Sequence, residues 1–321
     1  MLNQYDVVGL HVELTSRCNL TCPHCARTDI RTGGKIESLP MANLSLDAFR
    51  STLSQFNKLE VLHCCGNYGD ITSYHDIFTF LDISKEYDVG MIRLYTNGSA
   101  RTPEYWSRLA KSLRIQDEVV FSIDGLEDTN PIYRRGSSWK IIMKNLESFI
   151  TSGGSAVWEM LVFSHNEHQV DAVKSLATSM GVKEFRIKKA DRFDVVDTSS
   201  IQKSSSSKFH SINPSTEKVS CRYKAQKWLF LSFEAELLPC CWMGGGKYKL
   251  NQSKNALVGK LLESDLNVST STVGEILTSK FYIDLQESWE SDNPLSVCKS
   301  KCMSSSSTED KYIRSIEKAC L

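Results

Sequence analysis

Three cysteines, Cys18, Cys22 and Cys25, stand at a C-x3-C-x2-C spacing in the segment HVELTSRCNLTCPHCAR, His11 to Arg27, directly after a run with strand character. Three thiolates on one tight loop can each bind a different iron of a cubane, whereas a 4Fe-4S cluster ordinarily takes four cysteines. One iron is then left open. An open coordination position is what a catalytic metal site keeps for its cofactor or substrate. The competing readings of the triplet are a structural zinc site and three inert buried thiols. Zinc sites usually pair two-cysteine knuckles and close with a fourth protein ligand, and no such partner lies nearby in sequence.

A second set occupies the last third: Cys221, then Ala235 to Cys240 (AELLPC), then Cys298 and Cys302 in CKSKC. These four thiols could close a complete cluster, or a zinc knuckle that stabilises a small domain. Cys240 and Cys241, read as neighbours on a strand, point in different directions, so only Cys240 is assigned. Cys241, Cys320, Cys64 and Cys65 are read as buried apolar residues. His63, His165 and His168 lie near strand ends and read as ordinary hydrogen-bonded histidines.

Composition bounds these readings. Lysine plus arginine and aspartate plus glutamate each total 38, so no excess positive field exists to hold a phosphate backbone or an anionic membrane surface. Nucleic acid as a partner is disfavoured. The start, MLNQYDVV, lacks a signal peptide's basic and apolar regions, and no apolar run approaches the roughly 20 residues of a membrane helix. The cytoplasm is the expected compartment, where 11 cysteines suggest metal or redox chemistry rather than disulfides.

The elements that must position the cysteines follow from periodicity. Strands are expected at Val8–Leu14, Leu59–Cys64, Met91–Tyr95, Glu118–Ile123, Val157–Phe163 and Glu184–Lys188. Helices alternate with them at Ser45–Phe56, Tyr74–Tyr87, Pro103–Leu113, Trp139–Thr151 and Glu167–Met180. This alternation predicts an α/β fold with a parallel sheet, an open partial barrel rather than a closed eight-stranded one. A serine-rich stretch over 191–220 reads as a linker or mobile loop. Beyond it, a hairpin is expected from Lys227–Phe233 and Glu236–Leu238, with helices at Val273–Lys280 and Thr308–Ala319.

The triplet after the first strand resembles the defining motif of the radical S-adenosylmethionine (SAM) superfamily. That resemblance implies a partial (β/α)6 TIM-like barrel over residues 1–190. It also implies a cluster that, once reduced, cleaves SAM to methionine and a 5'-deoxyadenosyl radical that removes a hydrogen atom from substrate. By the same resemblance His24 stands beside the adenine. Tyr68-Gly69-Asp70 is similar to the Gly-Gly-Glu motif that receives the methionine amino group, with Tyr68 for the first glycine and Ile71 for the following proline. Thr96-Asn97-Gly98 and Ser122-Ile123-Asp124-Gly125 look like further SAM-site segments. Ser122 and Arg134 are candidates for the ribose or carboxylate. Asn-Gly and Asp-Gly pairs are ordinary turn signals; their weight here comes from falling at successive strand ends.

Residues 221–321 are similar to a Twitch domain, the shortened SPASM extension. This implies a second, auxiliary 4Fe-4S cluster on Cys221, Cys240, Cys298 and Cys302, with Ala235 replacing the motif glycine. The expected function is hydrogen abstraction from a small polar molecule or a peptide, with oxidation by dehydrogenation or crosslinking. The expected electron donor is of flavodoxin or ferredoxin type. Lack of a leader-binding module ahead of Cys18 favours a small substrate or a peptide delivered by another protein. The alternatives are a redox-neutral epimerase, in which Cys241 or Cys320 could return a hydrogen atom, and a non-enzymatic electron-transfer protein.

Overall fold

The computed structural model describes residues 2–29, 32–188, 201–209, 218–250, 265–291, 293–303 and 312–314. Its frame is one open nine-stranded sheet, ordered β8-β7-β1-β2-β3-β4-β5-β6-β9. The strands are β1 (Gly9–Val12), β2 (Val61–Cys64), β3 (Met91–Thr96), β4 (Glu118–Ser122), β5 (Ala156–Leu161), β6 (Glu184–Lys188), β7 (Trp228–Leu231), β8 (Leu237–Leu238) and β9 (Tyr312–Arg314). From β7 to β6 every pairing is parallel; β8 and β9 add antiparallel edges.

The six expected strands all form, and the crossovers are the five expected helices, α1 (Leu46–Leu53), α2 (Ile77–Glu86), α3 (Pro103–Ser112), α5 (Trp139–Thr151) and α6 (Val170–Ser179), joined by a single turn that was not expected, α4 (Asn130–Tyr133). Local chemistry sets their ends. Ser45 caps α1 by accepting from the N–H groups of Asp47 and Ala48, and Pro103 sits in the first turn of α3, where its missing N–H costs nothing.

Alternation along each strand sorts the side chains. Leu10, Leu62, Leu94, Phe121 and Trp158 point to the helices, where they join Phe49, Phe80, Trp106 and Phe149 in a continuous core. Burying each such side chain contributes about 1.5–3 kcal/mol. The opposite face carries His11, His63, Tyr95, Val120 and Val157 toward the barrel interior, with Trp228 and Phe230 of β7 beside them. Parallel pairing places all the carboxyl ends, and the loops after them, at one end of the sheet.

The expected hairpin is present as β7 and β8, and β7 pairs directly with β1, so the later segment extends the main sheet. Ala235 lies in its turn at φ 64°. Left-handed backbone costs an L-residue about 1–2 kcal/mol, more than the roughly 0.4–1 kcal/mol of chain entropy that alanine saves over glycine.

Several expectations are corrected. Cys241 opens helix α8 (Cys241–Leu250) instead of continuing a strand. The helix expected over Val273–Lys280 stops at Leu277 as α9 (Val273–Leu277), and α10 (Lys280–Glu290) starts afresh; Phe281, Tyr282, Leu285 and Trp289 carry a helical period that betrays it. Tyr312–Arg314, expected inside a terminal helix, is β9; the rest of that span lies outside the described residues, as does Cys320. Within the serine-rich stretch, residues 201–209 are docked: Lys203 bridges to Phe163, and Glu167 accepts hydrogen bonds from Ser204 and Ser205. Residues 191–200 and 210–217 lie outside the described set.

Candidate functional site

The cysteine triplet lies on the loop after β1, over the carboxyl end of the sheet. Cys25 N–H donates to the Cys22 carbonyl at 3.2 Å, and Leu20 N–H points at Cys18 Sγ at 3.4 Å. The loop is held by Arg27, which donates to the Cys18 carbonyl, and by Thr28, which donates to that of Cys22. Leu20, Tyr133, Phe163 and Ile201 pack around the three thiols. Burial, followed by the nearby Asp70 carboxylate, pushes the Cys18 thiol up to about 12. Burial likewise pushes the Cys22 thiol up to about 12, against the pull of Arg134.

The loop after β2 is fastened to this one along its length. Tyr68 N–H donates to Glu13 Oε1 at 2.7 Å, and Asp70 N–H donates to the Arg17 carbonyl at 2.8 Å. Between them the two backbones touch: a Cβ on Gly69 would stand 1.8 Å from the Thr15 carbonyl oxygen, so only glycine fits. The first motif position tolerates Tyr68 because its ring points away, buried with Phe233 and Tyr248, and its hydroxyl donates to the Gly244 carbonyl.

Asp70 gathers the next strand end. Its two oxygens accept from Thr72 N–H (3.0 Å), Thr72 Oγ1 (2.7 Å), Thr96 Oγ1 (3.0 Å), Asn97 N–H (2.7 Å) and Asn97 Nδ2 (2.8 Å). The carboxylate is thus saturated by protein donors, and one must give way before it can receive a ligand ammonium. Asn97 Nδ2 also donates to Asn19 Oδ1 at 3.0 Å and lies 3.8 Å from Cys18 Sγ. Cys18, Asp70, Thr96 and Asn97 therefore form one hydrogen-bonded unit.

Asp124 and Arg134 form a second unit on the other side of the triplet. Their ion pair is 2.6 Å, Asp124 Oδ1 accepts from Leu161 N–H, and the guanidinium lies within electrostatic reach of Cys22. Tyr133 next to it meets the His24 ring edge-on at 6.0 Å. Ser122 stands half-buried at the end of β4, paired in register with Glu159. His165 stacks on Phe163, and His168 falls in the turn before α6; neither joins the triplet's hydrogen-bonded unit.

Sequence reasoning missed Glu13, Arg17 and Asn19. Glu13 is 1 % exposed, and burial pushes its carboxyl up to about 8 despite the Tyr68 N–H and the nearby His11. Its signal was a lone acid two residues beyond an inward-facing histidine, just past the end of β1.

The later cysteines also converge. The thiols of Cys221 and Cys302 are hydrogen-bonded, and Ser220 N–H donates to the Cys302 carbonyl at 2.8 Å. Cys240, half-buried, lies within electrostatic range of Cys298 and Cys302, and desolvation raises its thiol well above the ordinary range. Cys298 sits in α11 (Ser296–Cys302). Cys241 Sγ instead meets the Tyr223 hydroxyl at 2.9 Å, beside α7 (Arg222–Gln226). None of the ten described cysteines is in a disulfide.

The family model described as "Radical SAM superfamily" matches residues 12–177, more than half of the chain and the whole of this loop system. The chain belongs to the radical SAM superfamily. Membership implies a 4Fe-4S cluster and SAM, and the residues suit both. Three sulfur donors packed on one loop, with an N–H directed at one of them, match cluster ligation, and the Gly69 contact leaves backbone where any side chain would intrude.

Among curated proteins, mycofactocin maturase MftC of Mycobacterium ulcerans (strain Agy99) is 28% identical over 171 residues, 53% of this chain and 44% of that protein. The Mycolicibacterium smegmatis protein of the same name is 28% identical over the same length and is covered to 41%. The chain thus matches less than half the length of these relatives. Among solved structures, Streptococcus suis SuiB aligns with a TM-score of 0.59 at 14% identity, covering 85% of this chain and 66% of that one. AnSMEcpe with bound AdoMet aligns at 0.57 and 14%, covering 86% and 82%. These likenesses concern the fold, a partial barrel. No described helix is long and apolar enough to cross a membrane.

Proposed function

We propose that this radical SAM enzyme modifies a peptide oxidatively, using Cys18, Cys22 and Cys25 to hold the SAM-binding cluster and Cys221, Cys240, Cys298 and Cys302 to hold an auxiliary one. The observation that carries the reading is the fastening of the triplet loop to the Tyr68-Gly69-Asp70 loop and to Asn97. Held by these cysteines, the first cluster would supply the electron for SAM cleavage and the second would supply an electron acceptor, at a potential within the range of about −700 to +450 mV that protein-bound clusters span.

The protein's own part is placement. Asn97 links the Cys18 loop to the strand end that carries Asp70, and Arg134 presents a fixed positive charge beside Cys22, suited to a carboxylate or ribose. His24 and Tyr133 offer adjoining rings to an adenine. Support for a peptide comes from SuiB, solved bound to its precursor peptide SuiA, which aligns with a TM-score of 0.57 and 14% identity. A flavodoxin- or ferredoxin-type protein is the proposed electron donor.

The balance of the reaction makes the reading testable. Hydrogen abstraction leaves a substrate radical; loss of one further electron and one proton gives the oxidised product. Anaerobic reconstitution should load about eight irons per chain. Cys298→Ala with Cys302→Ala should leave about four, spare 5'-deoxyadenosine formation, and abolish product. Zinc at these cysteines after anaerobic isolation, or normal product from the double variant, would overturn the auxiliary-cluster assignment.

A further inference from the structure

β1 and β2 carry a group of donors on the sheet's inner face that neither cysteine set uses. His11 and His63 are register partners, with ring centroids 4.9 Å apart, and Cys65 follows β2 by one residue. One ligand atom from each of His11, His63 and Cys65 lies within 4.8 Å of the others.

The tautomer of His11 follows from its neighbours. Its Nε2 meets the Cys65 carbonyl oxygen at 2.6 Å, and a carbonyl only accepts, so Nε2 carries a proton and Nδ1, which faces the Tyr223 hydroxyl at 3.3 Å, is the nitrogen left to ligate. A ring N–H held by a backbone carbonyl is the support that metal-ligating histidines characteristically have. His63 Nδ1 is buried and has no hydrogen-bond partner. Tyr95, Trp228 and Phe230 enclose the pair. In such surroundings an unsatisfied imidazole nitrogen costs stability unless something binds it.

We propose that His11, His63 and Cys65 bind one divalent cation of the zinc class on the inner face of the barrel. Two imidazoles and a thiolate are donors that select zinc over magnesium or calcium. Bonds of about 2.0–2.3 Å in a tetrahedron space the donors about 3.3–3.6 Å apart, so side-chain rotation must draw them in by roughly an ångström. Binding releases the Cys65 thiol proton to solvent. Three protein ligands leave a fourth position, and the Tyr223 hydroxyl, 3.3 Å from His11 Nδ1, is an oxygen close to it.

The test uses the anaerobically iron-loaded enzyme, so that the cluster cysteines are already occupied. After incubation with zinc chloride and desalting, one zinc per chain should remain beyond the iron, and zinc-edge X-ray absorption should show nitrogen neighbours with a single sulfur. His63→Gln and Cys65→Ser should each weaken zinc retention by at least ten-fold at unchanged iron content. No retained zinc in the wild type, wild-type retention in either variant, or an all-sulfur shell would overturn the site. Iron content and 5'-deoxyadenosine formation are read in the same samples, so failure here is distinguishable from failure of the radical SAM assignment.

Discussion

Asp70 and Asn97 are joined twice: the same carboxylate oxygen accepts the backbone N–H of Asn97 at 2.7 Å and its side-chain amide at 2.8 Å. Because that amide also reaches Asn19 on the cysteine loop, one buried charge ties three strand-end loops together. Hydrogen bonds to a charged group are worth about 1.5–3 kcal/mol each. Asp70→Ala should therefore lower SAM affinity by about ten-fold or more, and the melting temperature with it. Iron content should stay intact. Equilibrium SAM binding to the fully loaded variant is the measurement, and unchanged affinity would remove Asp70 from the site.

Tyr68 and Gly69 should behave oppositely although they are neighbours. Gly69→Ala drives a Cβ into the Thr15 carbonyl and must separate the two loops, so SAM binding and deoxyadenosine formation should both be lost. Tyr68→Phe removes only the hydrogen bond to Gly244, costing about 1 kcal/mol of stability while sparing SAM binding. Comparing SAM dissociation constants for the two proteins tests the assignment; similar losses in both would contradict it.

Glu13 gives a pH signature. Burial raises its carboxyl from 4.5 to about 8, so between those values the folded protein holds a proton that the unfolded chain has released. Its contribution to stability is full below about pH 4.5, declines as pH rises, and is lost above about 8. Glu13→Gln, which cannot ionise, should flatten this slope, gaining on the wild type as the pH rises from 5.5 to 8. Denaturant titrations of the iron-loaded proteins at several pH values read it; parallel pH profiles for the two would show that Glu13 is ionised throughout.

The barrel was legible because its strands repeat a simple pattern: apolar runs such as Val157–Phe163, each followed by an amphipathic helix with a recognisable start such as Pro103. The triplet was legible from spacing alone. What stayed hidden depends on contacts far apart in sequence. Glu13 meets Tyr68 across 55 residues and Asn97 meets Asn19 across 78, and neither pairing leaves a local trace. The pairing of β7 with β1 was hidden for the same reason, since a four-residue strand does not name its neighbour. Near the C-terminus the period over Thr308–Ala319 suggested a helix, but pairing with β6 draws Tyr312–Arg314 into the sheet, where tertiary context outweighs local propensity.

The central claim is that the Cys18, Cys22 and Cys25 loop performs reductive SAM cleavage. The direct measurement is 5'-deoxyadenosine formed on incubating anaerobically reconstituted, reduced protein with SAM and no other substrate. The wild type should accumulate 5'-deoxyadenosine slowly, and replacing the three cysteines together by alanine should abolish it while leaving about four irons in the later site. Wild-type protein carrying its full iron that forms no 5'-deoxyadenosine, or a triple variant that still forms it, would contradict the account.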